Sequence, residues 1–332
     1  MKKSYFSLFV AVILAVGAVS LSARGSSSGG VSIGATIYNF GDNFMNGVVA
    51  PALKKHAKEN KASLTIVDSE NQQAKQNDQV DIFINKGVQV LAVNLVDPAS
   101  ARTVIEKAKA ADTPLILYNK EPTEAGVMDI YDKVWYVGTN SAESGILQGE
   151  MIAADWKANA GWDKNGDGVM QYVMLKGEPG HPDAEARTKE AILSIKGKGI
   201  KVQELALQAD PTWSTQFGND TMAAWLTSGF GEEIEVVIAN NDGMAFGAIT
   251  AMESAGVSLP IYGVDALEQA LQLIKEGKMN GTVLNDGKGQ AHAVIDLAMN
   301  VAAGKAPTAG TDWKLETDGS KAIRVPYVAV TE

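Results

Sequence analysis

Short apolar runs alternate with longer amphipathic segments along most of the chain. Runs rich in β-branched residues, which are typical of buried strands, cover residues 31–38, 64–68, 88–95, 114–119 and 134–137. Segments with apolar residues at helical spacing cover residues 44–60, 72–86 and 99–111, between the first four runs. Because alternating strands and helices build a parallel sheet covered on both faces, the pattern predicts an α/β fold with a doubly wound parallel sheet.

The same rhythm restarts after Asn140 and predicts a second α/β domain of similar construction. A helix is predicted near residues 144–159, and strands are predicted at 171–176, 201–207, 234–239, 260–264 and 282–284. The chain has 332 residues, 45% of them apolar, which is enough for two hydrophobic cores. The pattern therefore predicts two domains with a boundary near residues 138–140.

The amino terminus has the layout of a secretory signal peptide. Lys2 and Lys3 precede an apolar run over residues 6–19, and small residues and a glycine-rich stretch follow. The run is shorter than the roughly 20 residues that a membrane-spanning helix needs. We therefore expect a signal peptide and flexible leader over residues 1–30, and an exported protein.

Residues 21–25 resemble a bacterial lipobox in which Arg24 stands where the acylated cysteine would be. The sequence contains no cysteine, so it offers no thiol for a thioether lipid, a disulfide or a thiolate metal site. Cleavage after the small residues Ala18 and Ser20 would release a soluble periplasmic protein. If Arg24 replaces a natural cysteine, the natural form would be anchored to the membrane by a lipid.

The charge distribution argues against nucleic acid as a partner. The formal net charge is -10, the pI is near 4.9, and no dense Lys/Arg cluster follows the first few residues. The glycine-rich phosphate-binding motifs of nucleotide-binding proteins are also absent from the sequence.

Polar side chains follow most of the predicted strands in both domains. They are Asp42, Asn119, His181, Asp183, Arg187, Asn240, Asn241, Asp242, Asp265, Asn285 and Asp286. In open parallel sheets ligands bind beyond the carboxyl ends of the strands. Planar amides, carboxylates and guanidinium groups offer paired donors and acceptors, which suit the vicinal hydroxyls of a sugar. Asn and Asp in such places also cap helices and turns, so each residue alone leaves both interpretations open.

A second candidate site lies in the loop at residues 163–171. Its oxygen-bearing side chains, at positions one, three, five and nine of an EF-hand-like loop, are Asp163, Asn165, Asp167 and Gln171, and Gly168 is at position six. Position twelve is Met174 and not the bidentate glutamate of an EF-hand, and a strand is predicted there. Either a carboxylate from elsewhere completes a calcium site, or the loop is a solvated turn.

Several segments together resemble one family. They are Ile37–Tyr38 with Asp42–Met45, Asn119–Pro122, Lys176–Thr188, Val237–Asp242 and Gly281–Asp286. From about Ser32 to near Val328 the chain is similar to the bacterial periplasmic galactose/glucose-binding proteins, which are type I periplasmic sugar-binding proteins of ABC transporters. The resemblance is specific because the twelve-residue stretch beginning at Gly177 and the EF-hand-like loop occur together and in the family's order.

The resemblance implies a role for each matching residue. Phe44 and Trp213 match the two aromatic rings that hold a pyranose between their faces. The hydroxyl-binding positions match Asp42, Asn119, His181, Asp183, Arg187, Asn241, Asp265 and Asn285. The residue matching Asp42 faces the 4-hydroxyl in that family, and its two carboxylate oxygens would accept this hydroxyl in axial or equatorial orientation. Glu235 matches the missing calcium carboxylate, and Val169 would add its backbone carbonyl.

The resemblance also implies the architecture and the function. Three hinge crossings would join an N-terminal lobe of residues 31–138 and 287–322 to a C-terminal lobe of residues 139–286 and 323–332, with the strand at 324–330 in the second lobe. The expected protein is a monomer that closes over D-glucose or D-galactose. Its partners would be an ABC sugar permease and, in motile species, a chemoreceptor, and Ca²⁺ would serve stability.

Two other classes compete with this interpretation. Asp183, Glu185 and Asp265 could supply the carboxylate pair of a glycosidase, but nothing in the sequence singles out a matched acid and base. The second class is a sugar-responsive transcription factor of related fold. Such a protein would carry no export signal, so the signal-peptide layout argues against it. A binder of a different monosaccharide also remains open, and we expect a binding protein and not an enzyme.

Overall fold

The computed structural model describes residues 30–331 of the chain. The predicted leader, including the lipobox-like segment around Arg24, lies outside the described residues except for Gly30. Within the described range no helix has both the length and the apolar composition that a bilayer crossing requires. These residues form two α/β lobes, each built around its own sheet.

The sheet of the first lobe has six parallel strands. They are β1 (Ser32–Ile37), β2 (Ser63–Asp68), β3 (Val90–Val93), β4 (Leu115–Tyr118), β5 (Val134–Gly138) and β11 (Ala322–Arg324). Their order across the sheet is β11-β5-β4-β3-β1-β2. Ile33 of β1 pairs with Leu64 on one side and with Val90 on the other. Because helices cover both faces, the central strands are almost wholly apolar and buried, as a parallel sheet requires.

The helices of the first lobe come from both ends of the chain. They are α1 (Ala50–Glu59), α2 (Gln73–Asn85), α3 (Ala101–Ala110) and α9 (Gly287–Ala302), with 3₁₀ turns at Pro98–Ser100 and Val127–Ile130. Helix α9 shares a hydrophobic core with β1 and α1. His56 of α1 and Asp296 of α9 are also joined by a hydrogen bond of 2.8 Å. The chain therefore returns to the first lobe after the second is complete.

The predicted helix at residues 44–60 begins as a π-helical turn at Met45–Val49 and becomes α-helical at Ala50. Pro51 has no backbone N–H to donate to the preceding turn, and its ring would clash with the carbonyl four residues earlier. Pro51 therefore stands in the first turn of the α-helical part, where its missing N–H costs little.

The second lobe contains two hydrogen-bonded sheets that adjoin each other. The first has the parallel order β7-β6-β8-β9, and the second pairs β10 with β12 in antiparallel fashion. These strands are β6 (Val169–Lys176), β7 (Lys201–Ala209), β8 (Val236–Ala239), β9 (Ile261–Tyr262), β10 (Thr282–Leu284) and β12 (Val328–Val330). Single bridges from Tyr262 to Gly281 and from Asp265 to Leu284 connect the two sheets.

Five helices cover the sheets of the second lobe. They are α4 (Ser141–Ala158), α5 (Pro182–Gly197), α6 (Thr215–Leu226), α7 (Asp242–Ala255) and α8 (Glu268–Lys275), with 3₁₀ turns at Ala160–Trp162 and Gly231–Glu233. Helices α5 and α7 begin shortly after β6 and β8, so their amino termini lie at the carboxyl edge of the second lobe's parallel sheet.

The last hinge crossing lies later in the chain than the boundary predicted between residues 322 and 323. Ile323 and Arg324 belong to β11 and pair with Val137 and Gly138 of the first sheet. Only β12 pairs with the second sheet, so the single strand predicted at residues 324–330 is two short strands. Pro326 lies between them and cannot donate a ladder hydrogen bond, which explains the break.

Candidate functional site

A cavity between the two lobes is lined by ten side chains, and these are the ten that the sequence resemblance implied. They are Asp42, Phe44, Asn119, His181, Asp183, Arg187, Trp213, Asn241, Asp265 and Asn285. The cavity volume is about 20 Å³, so the lobes are drawn close together around it. The first lobe contributes the first three, and the second lobe contributes those from His181 onward.

The two aromatic rings are nearly buried and lie on glycines. Phe44 is 5% exposed and Trp213 is 6% exposed. A Cβ atom at Gly287 would lie 2.8 Å from the Phe44 ring, and a Cβ atom at Gly177 would lie 2.1 Å from the Trp213 ring. Any side chain at either glycine would push its ring into the cavity. The glycines therefore fix how deep each ring lies and leave a ring face for a ligand.

The turn that carries Trp213 is held by a buried aspartate that the sequence interpretation had not assigned to the site. The two oxygens of Asp210 accept the backbone N–H groups of Thr212 at 2.8 Å and of Ser214 at 2.6 Å, as well as both hydroxyls of those residues. Trp213 itself has a left-handed backbone with φ of 57°, which is uncommon for a bulky residue. The four hydrogen bonds to Asp210 stabilise this conformation and so orient the indole ring.

Asp42 is largely engaged by the protein. Its Oδ1 accepts the backbone N–H groups of Phe44 at 2.7 Å and Met45 at 3.2 Å, and its Oδ2 accepts the Tyr38 hydroxyl at 2.6 Å. A carboxylate offers about four acceptor positions. Only one of them, on Oδ2, is left for a ligand hydroxyl. The proposed tolerance of both hydroxyl orientations therefore cannot come from two equally free oxygens.

Asn119 follows β4 in a left-handed conformation with φ of 62°. The buried Asn94 holds it: the amide of Asn94 donates to Oδ1 of Asn119 at 3.2 Å and to the Tyr118 carbonyl at 3.1 Å. The Tyr136 hydroxyl donates to the carbonyl of Asn119 at 2.7 Å. The amide group of Asn119 is left to face the cavity.

His181 caps helix α5 and is held neutral. Its Nδ1 accepts the backbone N–H of Asp183 at 3.0 Å, so the ring proton must be on Nε2. Burial lowers the pKa of His181 well below its usual value, and the positive charges of Lys120 and Arg187 lower it further. His181 is thus a hydrogen-bond donor from Nε2. Its ring also contacts Trp213 edge-on, with 5.2 Å between centroids.

Arg187 is buried and held in a fixed orientation by the second lobe. It donates to the Asn240 carbonyl at 2.7 Å and to the Tyr327 hydroxyl at 3.2 Å, and it lies 3.6 Å from the Asp183 carboxylate. Burial opposes its charge, but Tyr327, Asp183 and Asp265 together raise its pKa. A fixed planar guanidinium presents its donors to a ligand at low entropic cost.

The remaining three side chains come from adjacent strand ends in the second lobe. Asn241 caps α7 by accepting the Met244 N–H at 2.9 Å and donates to the Trp213 carbonyl at 3.1 Å. Asn285 donates to Oδ1 of Asp265 at 3.3 Å and accepts from Gln290 at 2.7 Å. Burial raises the pKa of Asp265, while the Arg187 charge opposes that shift.

An ion pair crosses the cleft beside the cavity and was missed at the sequence level. Lys120 is wholly buried, and its Nζ donates to Glu178 at 2.6 Å and to the Val96 carbonyl at 3.1 Å. The same Nζ lies 3.8 Å from the centroid of the Tyr38 ring. Lys120 belongs to the first lobe and Glu178 to the second, so the pair exists only when the lobes are together. Both residues occur in segments that resemble the family. The sequence did not reveal the pair because a lysine after a strand ordinarily lies on a solvated surface.

The EF-hand-like loop folds around its own oxygen atoms. Asp163 accepts the N–H groups of Gly166 at 2.8 Å and Gly168 at 2.9 Å. Both glycines have φ of 72°, which side-chain-bearing residues rarely adopt. Asp167 accepts from the side-chain amides of Asn165 at 3.1 Å and Gln171 at 3.0 Å.

Glu235, the residue before β8, lies against the loop and is joined to it by two hydrogen bonds. Its two oxygens accept the backbone N–H groups of Lys164 at 2.7 Å and Gln171 at 2.9 Å. Burial raises the pKa of Glu235, and the charges of Asp163 and Asp167 add to that effect. Across residues 30–331 no group of three or more His, Cys, Asp or Glu side chains has a metal-binding arrangement. One observation nevertheless fits a cation at the loop: Oε1 of Gln171 is buried and lacks a hydrogen-bond partner.

Comparison with known proteins identifies relatives over nearly the whole chain. The chain is 46% identical over 331 residues to the D-galactose/methyl-galactoside binding periplasmic protein of Haemophilus influenzae, covering 99% of this chain and 97% of that protein. It is 26% identical to the ribose import binding protein of Bacillus subtilis, covering 80% of each chain.

Solved structures give the same picture. An ABC transporter solute binding protein from Bacillus halodurans with bound myo-inositol superposes with a TM-score of 0.74 at 30% identity, covering 92% of this chain and 96% of that one. Residues 33–306 match the periplasmic binding protein domain family. The two parallel-sheet lobes, the cavity between them and these matches agree, and the chain belongs to the periplasmic binding protein family.

Proposed function

We propose that this protein captures D-galactose or D-glucose between its lobes and delivers the sugar to an ABC sugar permease. The observation that supports this most is the composition of the cavity, which combines two buried aromatic rings with eight polar side chains. A pyranose has apolar C–H faces and a rim of hydroxyls, so rings and forked polar groups complement different parts of it. The 46% identity to a D-galactose/methyl-galactoside binding protein supports the same class of ligand.

The mechanism follows from the division of the cavity between the lobes. Phe44, Asp42 and Asn119 belong to the first lobe, whereas Trp213, Arg187 and the remaining polar groups belong to the second. A sugar bound to one lobe supplies new partners for the other, and this differential affinity shifts the open–closed equilibrium toward closure. Hinge closure around ligands is documented for periplasmic binding proteins.

The protein is a binding protein and not an enzyme, as its periplasmic sugar-binding relatives are. Two of the three carboxylates considered for a glycosidase pair form hydrogen bonds within the protein. Asp183 accepts the Ser141 hydroxyl at 2.5 Å, and Glu185 accepts from Lys176 at 2.7 Å. Glu185 does not line the cavity.

Calorimetric titration with D-galactose, D-glucose, D-ribose and D-xylose tests the proposal. We expect saturable heat with stoichiometry near one for a hexose and weaker binding of the pentoses, which lack the C6 hydroxymethyl group. Recovery of unchanged sugar afterwards separates binding from catalysis. Tight binding of a pentose with no response to either hexose would assign the cavity to a different monosaccharide, and no heat with any sugar would reject the proposal.

We further propose that the loop at residues 163–171 holds a structural Ca²⁺ together with Glu235. The ligands would be the side chains of Asp163, Asn165, Asp167, Gln171 and Glu235 and the backbone carbonyl of Val169. Calcium prefers carboxylate, amide and carbonyl oxygens in a flexible set of six to eight, and this set has that chemistry. The unpartnered Oε1 of Gln171 supports the proposal. The ion would tie β6 to the start of β8 and so contribute to the stability of the second lobe.

The remaining elements of the proposed function concern location and partners. Membership in the family implies an exported periplasmic protein. We propose that residues 1–30 are the export signal and leader, that the natural protein is lipid-anchored if Arg24 replaces a cysteine, and that the protein is a monomer. A chemoreceptor is proposed as a second partner of the closed form. Mass determination of the secreted product and gel filtration test the first three, and pull-down with and without sugar tests the last.

A further inference from the structure

A buried aspartate, Asp242, lies beside the cavity without lining it. Asp242 is 0% exposed and is the first residue of α7, directly after Asn241. Its Oδ1 accepts the Thr282 hydroxyl at 2.7 Å, and its Oδ2 accepts the backbone N–H of Leu267 at 2.8 Å. Neither Asp242 nor Thr282 lines the cavity. Their hydrogen bonds converge instead on one short segment, residues 264–267.

That segment has an unusual backbone. Asp265, which lines the cavity, has φ of 122°, and Ala266 has φ of 51°. Residues with side chains rarely adopt such values, and they persist only where the surrounding structure holds them. A non-glycine residue in this region therefore needs external anchors.

The anchors of the segment are Asp242, Thr282 and the neighbouring strand β10. Ala266 donates its N–H to the Thr282 hydroxyl oxygen at 3.2 Å, and Asp265 donates its own N–H to the Val283 carbonyl at 2.8 Å. The N–H of Asp242 donates to the Val264 carbonyl at 2.8 Å. Thr282 is thus both a donor to the Asp242 carboxylate and the acceptor for the strained turn, which joins the two into one network.

The backbone at Gly263, next to this network, leaves room for the Asp242 carboxylate. A Cβ atom at Gly263 would lie 2.2 Å from Oδ1 of Asp242. Only glycine at this position allows the carboxylate to reach Thr282. Gly263 lies outside the strained turn, so this close approach is a second observation that the fold fixes the position of the Asp242 carboxylate.

We propose that Asp242 and Thr282 are positioning residues for sugar binding, which hold the strained turn at Asp265 and Ala266 so that the Asp265 carboxylate faces the cavity. The inference rests on the proposed function, because it assigns these residues to the sugar cavity. Asp265 then needs no rearrangement when a sugar arrives. A pre-formed carboxylate binds more tightly than one that must be ordered during binding.

The test uses Thr282→Val, which keeps the shape of the side chain and removes the hydroxyl that serves both partners. We expect sugar affinity to fall about tenfold, the effect of losing one hydrogen bond to a charged group. Thr282→Ser keeps the hydroxyl and should bind within about twofold of wild type. A control for the chemical change alone is Thr250→Val at an exposed position of α7 in the same lobe, where the hydroxyl donates to the Phe246 carbonyl of its own helix.

A rescue variant separates positioning from general loss of stability. Glycine adopts positive φ without strain, so Ala266→Gly should lessen the turn's need for its anchors. Combining Ala266→Gly with Thr282→Val should recover most of the lost affinity, while the unfolding midpoint of the sugar-free protein need not recover. Calorimetry with D-galactose and thermal unfolding without sugar supply the two readouts for every variant.

The outcomes are distinct. Tenfold weaker binding by Thr282→Val, with rescue by Ala266→Gly and no affinity change in Thr250→Val, supports the inference. Wild-type affinity in Thr282→Val overturns it and leaves the proposed function intact. Weaker binding without rescue also overturns it, since Thr282 would then act through lobe stability. A wild-type protein that binds neither hexose rejects the proposed function and the inference together.

Discussion

The ion pair between Lys120 and Glu178 makes a quantitative prediction about closure. The perturbation is Glu178→Gln, which keeps the size and one acceptor oxygen but removes the charge that faces Lys120. Lys120 is 0% exposed, while the Glu178 side chain is 19% exposed. Burial lowers the pKa of Lys120 and the Glu178 charge opposes that shift, so the variant leaves a buried ammonium without its counterion.

The expected magnitude follows from the burial of the two partners. Removing one partner of a fully buried pair costs about 3–5 kcal/mol. Glu178 is partly exposed and the glutamine still accepts a hydrogen bond, so the loss should be closer to that of one charge-assisted hydrogen bond, about 2 kcal/mol. This corresponds to roughly 30-fold weaker sugar binding. Because the pair crosses the cleft, the loss falls on the closed state and not on either lobe alone.

Calorimetric titration measures the affinity, and stopped-flow fluorescence separates the rates. We expect the dissociation rate to rise and the association rate to stay nearly constant, because the pair forms only after closure. The thermal midpoint of the sugar-free protein should remain close to that of wild type. The matched control is Glu150→Gln, which breaks an exposed pair with Lys198 of 2.8 Å within the second lobe. Such exposed pairs contribute about 0–1 kcal/mol, and this one does not cross the cleft. Wild-type affinity in Glu178→Gln would refute the reasoning.

Three further predictions concern the ring, the histidine and the loop. Trp213→Ala should weaken hexose binding at least about 30-fold, because buried aromatic anchors contribute about 2 kcal/mol or more. The control variant Trp162→Ala, which lies outside the cavity, should bind the hexose like wild type. Equal affinities of the two variants in fluorescence titrations would remove the stacking role of Trp213. Burial, together with the charges of Lys120 and Arg187, lowers the pKa of His181 in the folded state below its ordinary 6.5. Below pH 6.5 the unfolded chain therefore takes up a proton at this residue more readily than the folded chain does. The contribution of His181 to stability is thus present above pH 6.5 and is lost as the pH falls below that value. Urea unfolding between pH 7.5 and 5 should therefore show a steeper loss for wild type than for His181→Gln, and identical slopes would contradict the assignment. Calcium at about 100 times its dissociation constant should stabilise the metal-free protein by about 2.7 kcal/mol, which raises the unfolding midpoint by roughly 5–10 °C. Glu235→Gln should abolish most of that shift, whereas the control Glu232→Gln should keep it. An unfolding midpoint that responds neither to calcium nor to a chelator would reject the metal site.

The sequence by itself determined the fold class and most of the cavity. The alternation of β-branched runs with helical segments requires parallel sheets, and parallel sheets present their carboxyl ends along one edge. Polar residues placed after neighbouring strands of one sheet, such as Asn241 and Asp265, therefore had to lie near one another. Local spacing likewise determined the oxygen set of the loop at residues 163–171, because a turn of that length brings alternate side chains together.

Tertiary structure alone decided features that depend on contacts between distant segments. Asn241 and Asp242 are adjacent and chemically similar, yet one lines the cavity and the other faces Thr282 inside the lobe, because the first turn of α7 points them in different directions. Lys120 becomes a buried cleft-spanning cation only because Glu178 of the other lobe meets it. The break between β11 and β12 depends on which sheet edge accepts each short strand. Hydrophobic periodicity specifies which face of an element is buried but not which distant polar group will meet it, so these contacts could be found only in the folded chain.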